Sequence, residues 1–184
     1  MRLFLAIPAA GAAQARLGEA IARWRAQIPE VKWETPEALH LTLQFIGEWP
    51  AEREAELAAA LASLAWAPLT LRLAGTGAFP DVRDPRLLWA GVAAPPELER
   101  AAAAIAQRLQ LLGIAPEERP FTPHITLGRL PRRERAGPWK RTWVSPTPVW
   151  GDIPAAGFGL YQSLPQAPPA ERYQLRRWFA RPVS

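Results

Sequence analysis

The stretch His40-Leu41-Thr42-Leu43 returns 84 residues later as His124-Ile125-Thr126-Leu127, and these are the two histidines of a 184-residue chain. In an extended strand, successive side chains face opposite sides. Each motif then offers an imidazole and a hydroxyl from one face, roughly 6–7 Å apart along the strand. The opposite face carries Leu41, Leu43 and Phe45 in the first motif, and Ile125 and Leu127 in the second. Two such strands side by side would make a site of two imidazoles and two hydroxyls, with an apolar rear face for helices to cover.

The recurrence reaches beyond the motifs. A shift of 84 carries Arg2-Leu3 onto Arg86-Leu87 and Pro36 onto Pro120, and Leu3 precedes His40 by 37 positions, as Leu87 precedes His124. In the first half, residues 2–8 are predicted as a buried strand. Residues 11–27 are predicted as a helix with Leu17, Ile21 and Trp24 at helical spacing, ended by Pro29. A loop over 30–39 leads to the first histidine strand, 39–46, closed by Gly47. In the second half, the same order recurs as a strand over 86–93, a helix over 96–112 capped by Gly113, and a loop with Pro116 and Pro120. The second histidine strand follows at 123–130. A constant offset across a whole strand–helix–strand unit is read as two similar lobes related by a pseudo-two-fold axis. Each lobe would give one histidine strand to a shared cleft, with the imidazoles on opposite walls.

Between the repeats, residues 51–65 read as an amphipathic helix and 69–74 as a strand with one wet face, followed by a turn at Gly75, Gly77 and Pro80. Residues 131–150 are rich in Arg, Pro and Trp, without an assigned element. Residues 157–163 and 172–179 are predicted as two closing strands paired through a proline-rich loop.

Composition narrows the chemistry. With no cysteine, there is no disulfide framework, no thiolate nucleophile and no cysteine-based metal site. Two histidines without nearby carboxylates in either motif make a zinc site a poor reading, so neither metal nor other cofactor is expected. The apolar run at the N-terminus is brief and ends at Pro8, and no run of about 18 apolar residues occurs. The expectation is a soluble, cytoplasmic monomer with no membrane association. The net charge is +5, and apart from Lys32 and Lys140 the basic residues are arginines. Arginine grips phosphate with a planar fork, which suits nucleic-acid substrates, although an arginine bias from a GC-rich genome gives the same composition.

Two histidines suit a reaction in which one accepts a proton while the other donates one. In-line displacement at phosphorus needs both at once, on opposite sides of the phosphorus. Thr42 and Thr126 can hold non-bridging oxygens, or can simply be good strand formers. Arg129 would fall on the wrong face of a regular strand. A bend at Gly128 would bring its guanidinium to the phosphate, where it could stabilise developing charge; otherwise it is a solvated arginine.

With these residues in view, the chain resembles the two-histidine (2H) phosphoesterases, and within them the bacterial and archaeal RNA 2',3'-cyclic phosphodiesterases, or 2'-5' RNA ligases. The resemblance rests on both His-x-Thr motifs and on Arg2-Leu3-Phe4-Leu5-Ala6-Ile7, Gly77-Ala78-Phe79-Pro80 and Leu88-Trp89-Ala90-Gly91. It continues through Arg119-Pro120-Phe121-Thr122-Pro123, Arg129, Leu160-Tyr161-Gln162-Ser163 and Tyr173. It implies an α+β fold, bilobal, with two antiparallel β-sheets forming a central cleft and helices outside, residues 1–184 making one such domain. It implies metal-independent hydrolysis of RNA 2',3'-cyclic phosphate ends to a 2'-phosphate and ATP-independent, reversible 2'-5' joining. His40 would be the general acid toward the leaving 3' oxygen, and His124 the general base toward water. Thr42, Thr126 and Arg129 would hold the phosphate. RNA carrying 2',3'-cyclic phosphate or 2'-phosphate ends, tRNA fragments among it, would be the partner.

Beyond the phosphate, Trp33 is expected to pack, with stacking on a base as the alternative. Phe121 is expected as wall or core. The basic cluster Arg129, Arg132, Arg133, Arg135, Lys140 and Arg141 is either an RNA-backbone track or a solvated loop. Two other readings stay open: a related phosphoesterase acting on small cyclic nucleotides or 2'-5' oligonucleotides, and a non-catalytic RNA-binding module.

Overall fold

The structure is a computed structural model that describes residues 1–93, 95–117, 119–131, 143 and 148–180. Strand β1 (Arg2–Pro8) leads into helix α1 (Gly11–Gln27), which buries Ala13, Leu17, Ala20 and Ile21 at helical spacing. The two-residue strand β2 (Lys32–Trp33) and a 3-10 turn (Pro36–Ala38) precede β3 (His40–Glu48). Helix α2 (Glu54–Ala62) is shorter than the expected 51–65, its first residues forming a 3-10 turn. Then come β4 (Leu69–Phe79), β5 (Leu87–Ala93), α3 (Pro96–Gln110) and β6 (His124–Arg129). Helix α3 begins on a proline, carries Glu97 and Glu99 in its first turn and Arg108 in its last, all suited to the helix dipole. Strands β7 (Val149–Ala155), β8 (Phe158–Ser163) and β9 (Tyr173–Phe179) close the fold.

Among the described residues, eight strands follow the antiparallel order β7-β4-β5-β6-β3-β1-β8-β9, and β2 adds to β6. The order is symmetric about its middle. On one side run β3, β1, β8 and β9; on the other run β6, β5, β4 and β7. The two halves of this one sheet meet where β3 and β6 pair at Leu41 and Ile125, both fully buried. Helix α1 packs against β7 and α3 against β3, so each repeat's helix lies across the other half. One apolar core runs through both halves, from Leu3, Leu5 and Ile7 of β1 to Ile125 and Leu127 of β6 and Ile153 of β7.

β2 falls within the expected loop over 30–39, and β4 and β7 depart further from expectation. β4 does not stop at residue 74. Gly75, at φ +75°, sits in a register shift between Leu73 and Thr76, a bulge that keeps the strand going where a turn was expected. β7 lies where no full strand was predicted. Among the described residues it pairs with β4 alone, and an edge position tolerates its Gly151 and Pro154, which weaken the strand signal.

Candidate active site

His40 opens β3 and His124 opens β6, and both are half-buried. Around the Leu41–Ile125 pair, antiparallel register sets His40 level with Thr126 and Thr42 level with His124. Each hydroxyl thus lies beside the other motif's imidazole. All four residues lie on the face opposite the core, because Leu41, Leu43, Ile125 and Leu127 take the buried side.

The two rings are held alike. His40 Nδ1 lies 2.6 Å from the Ala38 carbonyl and His124 Nδ1 lies 2.7 Å from the Thr122 carbonyl. A carbonyl only accepts, so Nδ1 carries the hydrogen, and the neutral ring offers Nε2 as a proton acceptor. Each ring is also met edge-on by an aromatic neighbour. Tyr173 stands at 4.9 Å and 79° from His40, and Phe79 at 4.9 Å and 80° from His124. Phe4 adds a tilted contact to His40 at 5.0 Å, and Trp89 a looser one to His124 at 6.3 Å. Trp89 reaches this place because Gly77 lies under its ring, where a Cβ would collide with the indole.

Burial pushes His40 down from 6.5 to about 4; the positive charge of Arg129 and the proximity of His124 act in the same direction, against the hydrogen bond to Ala38. His124 is also lowered, chiefly by burial and further by Arg129. Near neutral pH, both free rings are neutral.

Arg129 comes to the histidines' side of the sheet because β6 is irregular. Gly128 pairs with Leu88 but Thr126 pairs with Trp89, so Leu127 is an extra residue on β6. This bulge reverses the alternation and brings Arg129 onto the histidine face. Gly128 fits there because a Cβ would stand 2.6 Å from Val31 and 3.1 Å from the Trp33 ring. Arg129 Nε also lies 3.5 Å from the Glu34 carboxylate.

Trp33 is packed. It is 9% exposed, stacks on Trp24 at 5.7 Å, lies 6.0 Å from Trp143 and donates its Nε1–H to the Ile28 carbonyl. Its indole is occupied by the core, and stacking on a base is set aside. Phe121 is half-buried and packs on the edge of the core. Arg132, Arg133, Arg135, Lys140 and Arg141 lie outside the described residues. Phe4, Phe79, Tyr173 and Glu34 were not singled out from sequence as site residues. Phe4, Phe79 and Tyr173 stand inside segments that carry the family resemblance; Glu34 had no such signal. Among the described residues, no group of three or more His, Cys, Asp or Glu side chains could hold a metal ion, and no helix is long and apolar enough to cross a membrane.

The model of the LigT-like phosphoesterase family matches residues 12–89 and again 92–170, one match for each repeat. An RNA 2',3'-cyclic phosphodiesterase of Archaeoglobus fulgidus is 31% identical over 165 residues, covering 89% of this chain and 92% of the relative. One of Thermus thermophilus is 37% identical over 172 residues, covering 89% and 82%. Among solved structures, a Thermus thermophilus protein superposes with a TM-score of 0.82 at 32% identity, covering both chains fully. Escherichia coli LigT complexed with 3'-AMP superposes with a TM-score of 0.76 at 32% identity, covering 98% of this chain and 97% of the other. The chain belongs to the LigT-like phosphoesterase family.

Proposed function

We propose that this LigT-like phosphoesterase is an RNA 2',3'-cyclic phosphodiesterase that opens the cyclic phosphate to a 2'-phosphate without a metal. The observation that carries the reading is the matched pair of imidazoles. Each is fixed at Nδ1 by a backbone carbonyl two residues earlier, with Nε2 available on the shared face. Supporting it, curated relatives across most of the chain are named RNA 2',3'-cyclic phosphodiesterases, and Escherichia coli LigT was solved with 3'-AMP and with phosphate.

In this reading, the cyclic phosphate lies between the rings. Water attacks phosphorus as His124 Nε2 takes its proton, and the bond from phosphorus to the 3' oxygen breaks as His40 Nε2–H protonates that oxygen. Thr42, Thr126 and Arg129 hold the non-bridging oxygens, whose charge grows in the transition state. The site needs one proton that the free rings lack near neutral pH. The anionic phosphate supplies the reason to take one up, because its negative charge opposes the field of Arg129. If a 5'-hydroxyl replaces water, the same displacement yields a 2'-5' linkage driven by opening of the ring, and no ATP enters. Its reverse is cleavage of that linkage by the neighbouring 3'-hydroxyl.

The test is to incubate the pure protein, in EDTA, with an RNA oligomer ending in a 2',3'-cyclic phosphate and to identify the end formed. A 2'-phosphate is expected, and a 2'-5' joined product when 5'-hydroxyl RNA is in excess. A 3'-phosphate, or activity that appears only on adding a divalent metal, would overturn the mechanism. Turnover confined to small cyclic nucleotides or 2'-5' oligonucleotides would reassign the substrate.

A further inference from the structure

Glu34 is the buried charged side chain among the described residues, 4% exposed. A carboxylate taken out of water is costly unless cations and hydrogen bonds surround it. Here two arginines do so from opposite halves of the fold. Arg129, on the histidine strand β6, places Nε 3.5 Å from Oε1, and Arg172, just before β9, places Nη1 3.5 Å from Oε2. The backbone fixes the carboxylate in turn. The Glu34 N–H donates to the Leu127 carbonyl at 2.9 Å, and the preceding residues Lys32 and Trp33 pair with Arg129 and Gly128. Arg25 donates to the Glu34 carbonyl at 3.5 Å.

Both arginines lead to the histidines. The charge of Arg129 acts on His40 and His124. Arg172 is bonded in sequence to Tyr173, whose ring meets His40 edge-on. Arg129 is itself half-exposed, and a free arginine of that kind samples many rotamers.

We infer that Glu34 is a positioning residue: it grips Arg129 at Nε so that the guanidinium stays over the histidine pair, and it ties that arginine to the Arg172–Tyr173 wall of the other half. A guanidinium held at Nε keeps its Nη pair for a phosphate. The inference rests on the proposed reaction, deepening it by naming what holds its arginine.

A double-mutant cycle of Glu34→Gln with Arg129→Ala tests it, read by kcat and KM on cyclic-phosphate RNA and by NMR titration of the protein's two histidines. Glu34→Gln is expected to lower kcat/KM about 10-fold in the parent background and to change it less than about 2-fold once Arg129 is alanine, the signature of residues acting through one another. Both histidines are expected to titrate higher in Arg129→Ala, and Glu34→Gln is expected to shift them in the parent background but not once Arg129 is alanine. An equal loss in both backgrounds would assign Glu34 a merely structural role, and unchanged histidine titration in Glu34→Gln would also overturn the inference. If Glu34→Gln does not fold, Glu34→Asp is read in the same cycle; it keeps the charge but withdraws the carboxylate by one methylene. A parent that leaves cyclic phosphate untouched sinks the proposed reaction alone, because the titrations still report whether Glu34 acts through Arg129.

Discussion

Leu41 and Ile125, 84 positions apart in a chain whose repeat is 84 residues long, pair with each other across the seam between the two halves of the sheet. The pseudo-two-fold axis therefore passes between the motifs themselves, and each motif's histidine stands beside the other's threonine. The seam is narrow, since Leu41–Ile125 is the registered pair of β3 and β6 among the described residues. Leu41→Ala and Ile125→Ala should each cost about 2–5 kcal/mol through the cavity left at a fully buried site. Thermal unfolding would show this as a fall of roughly 4–20 °C for a chain of this size. A fall of under a degree or so for both would mean that the seam does not hold the halves together.

The histidine pair should act as a unit. His40→Ala and His124→Ala are each expected to lower kcat by at least about 10²-fold, and the double variant by much less than the product of the two. Steady-state rates on an RNA 2',3'-cyclic phosphate decide this. A fully multiplicative double variant would mean that the two rings serve separate steps.

The pH profile should lie acid of ordinary histidine. His40 is lowered to about 4 and His124 is lowered too, by burial first and by Arg129 after it. In kcat/KM, which reports the free enzyme, the base must be neutral and the acid protonated, so both limbs are expected below 6.5. Removing a positive charge raises an imidazole pKa. Arg129→Ala should therefore move both limbs toward alkaline pH while lowering the maximum. Limbs that stay where they were in Arg129→Ala would disconnect that guanidinium from the rings.

Trp33 separates packing from recognition. Trp33→Phe keeps an aromatic ring but removes the hydrogen bond to Ile28 and part of the indole stack. The expected outcome is a loss of about 1–3 kcal/mol, with KM for RNA changed less than 2-fold. A raised KM at unchanged stability would return Trp33 to the substrate.

Salt dependence tests the basic stretch after β6. If it tracks an RNA backbone, binding of a long oligomer should weaken steeply with salt through counterion release, and hydrolysis of a mononucleotide 2',3'-cyclic phosphate should respond far less. Replacing Arg132, Arg133 and Arg135 together by Gln should then raise KM for the oligomer and spare the mononucleotide. Equal slopes for both substrates in the parent would show that the stretch does not read RNA.

What the sequence by itself determined was whatever depends on order and alternation. The 84-residue offset, the strand–helix–strand units and the placing of His40 and Thr42, or His124 and Thr126, opposite a buried apolar face follow from local periodicity, which each residue carries in its neighbours. What only the tertiary structure decided depends on register and on distant contacts. The extra residue at Leu127 brings Arg129 onto the histidine face, and nothing in the alternation of β6 announces where a bulge falls. Tyr173 and Phe79 meet their histidines from strands far along the chain. Trp33 was expected to pack, but that its partners would be Trp24 and Trp143 came only from the fold. Glu34 carried no signal in the sequence, and it became the buried partner of Arg129 and Arg172 only when the chain brought residues 34, 129 and 172 together. A side chain's own chemistry is local, but its burial and its partners are properties of the whole packed chain.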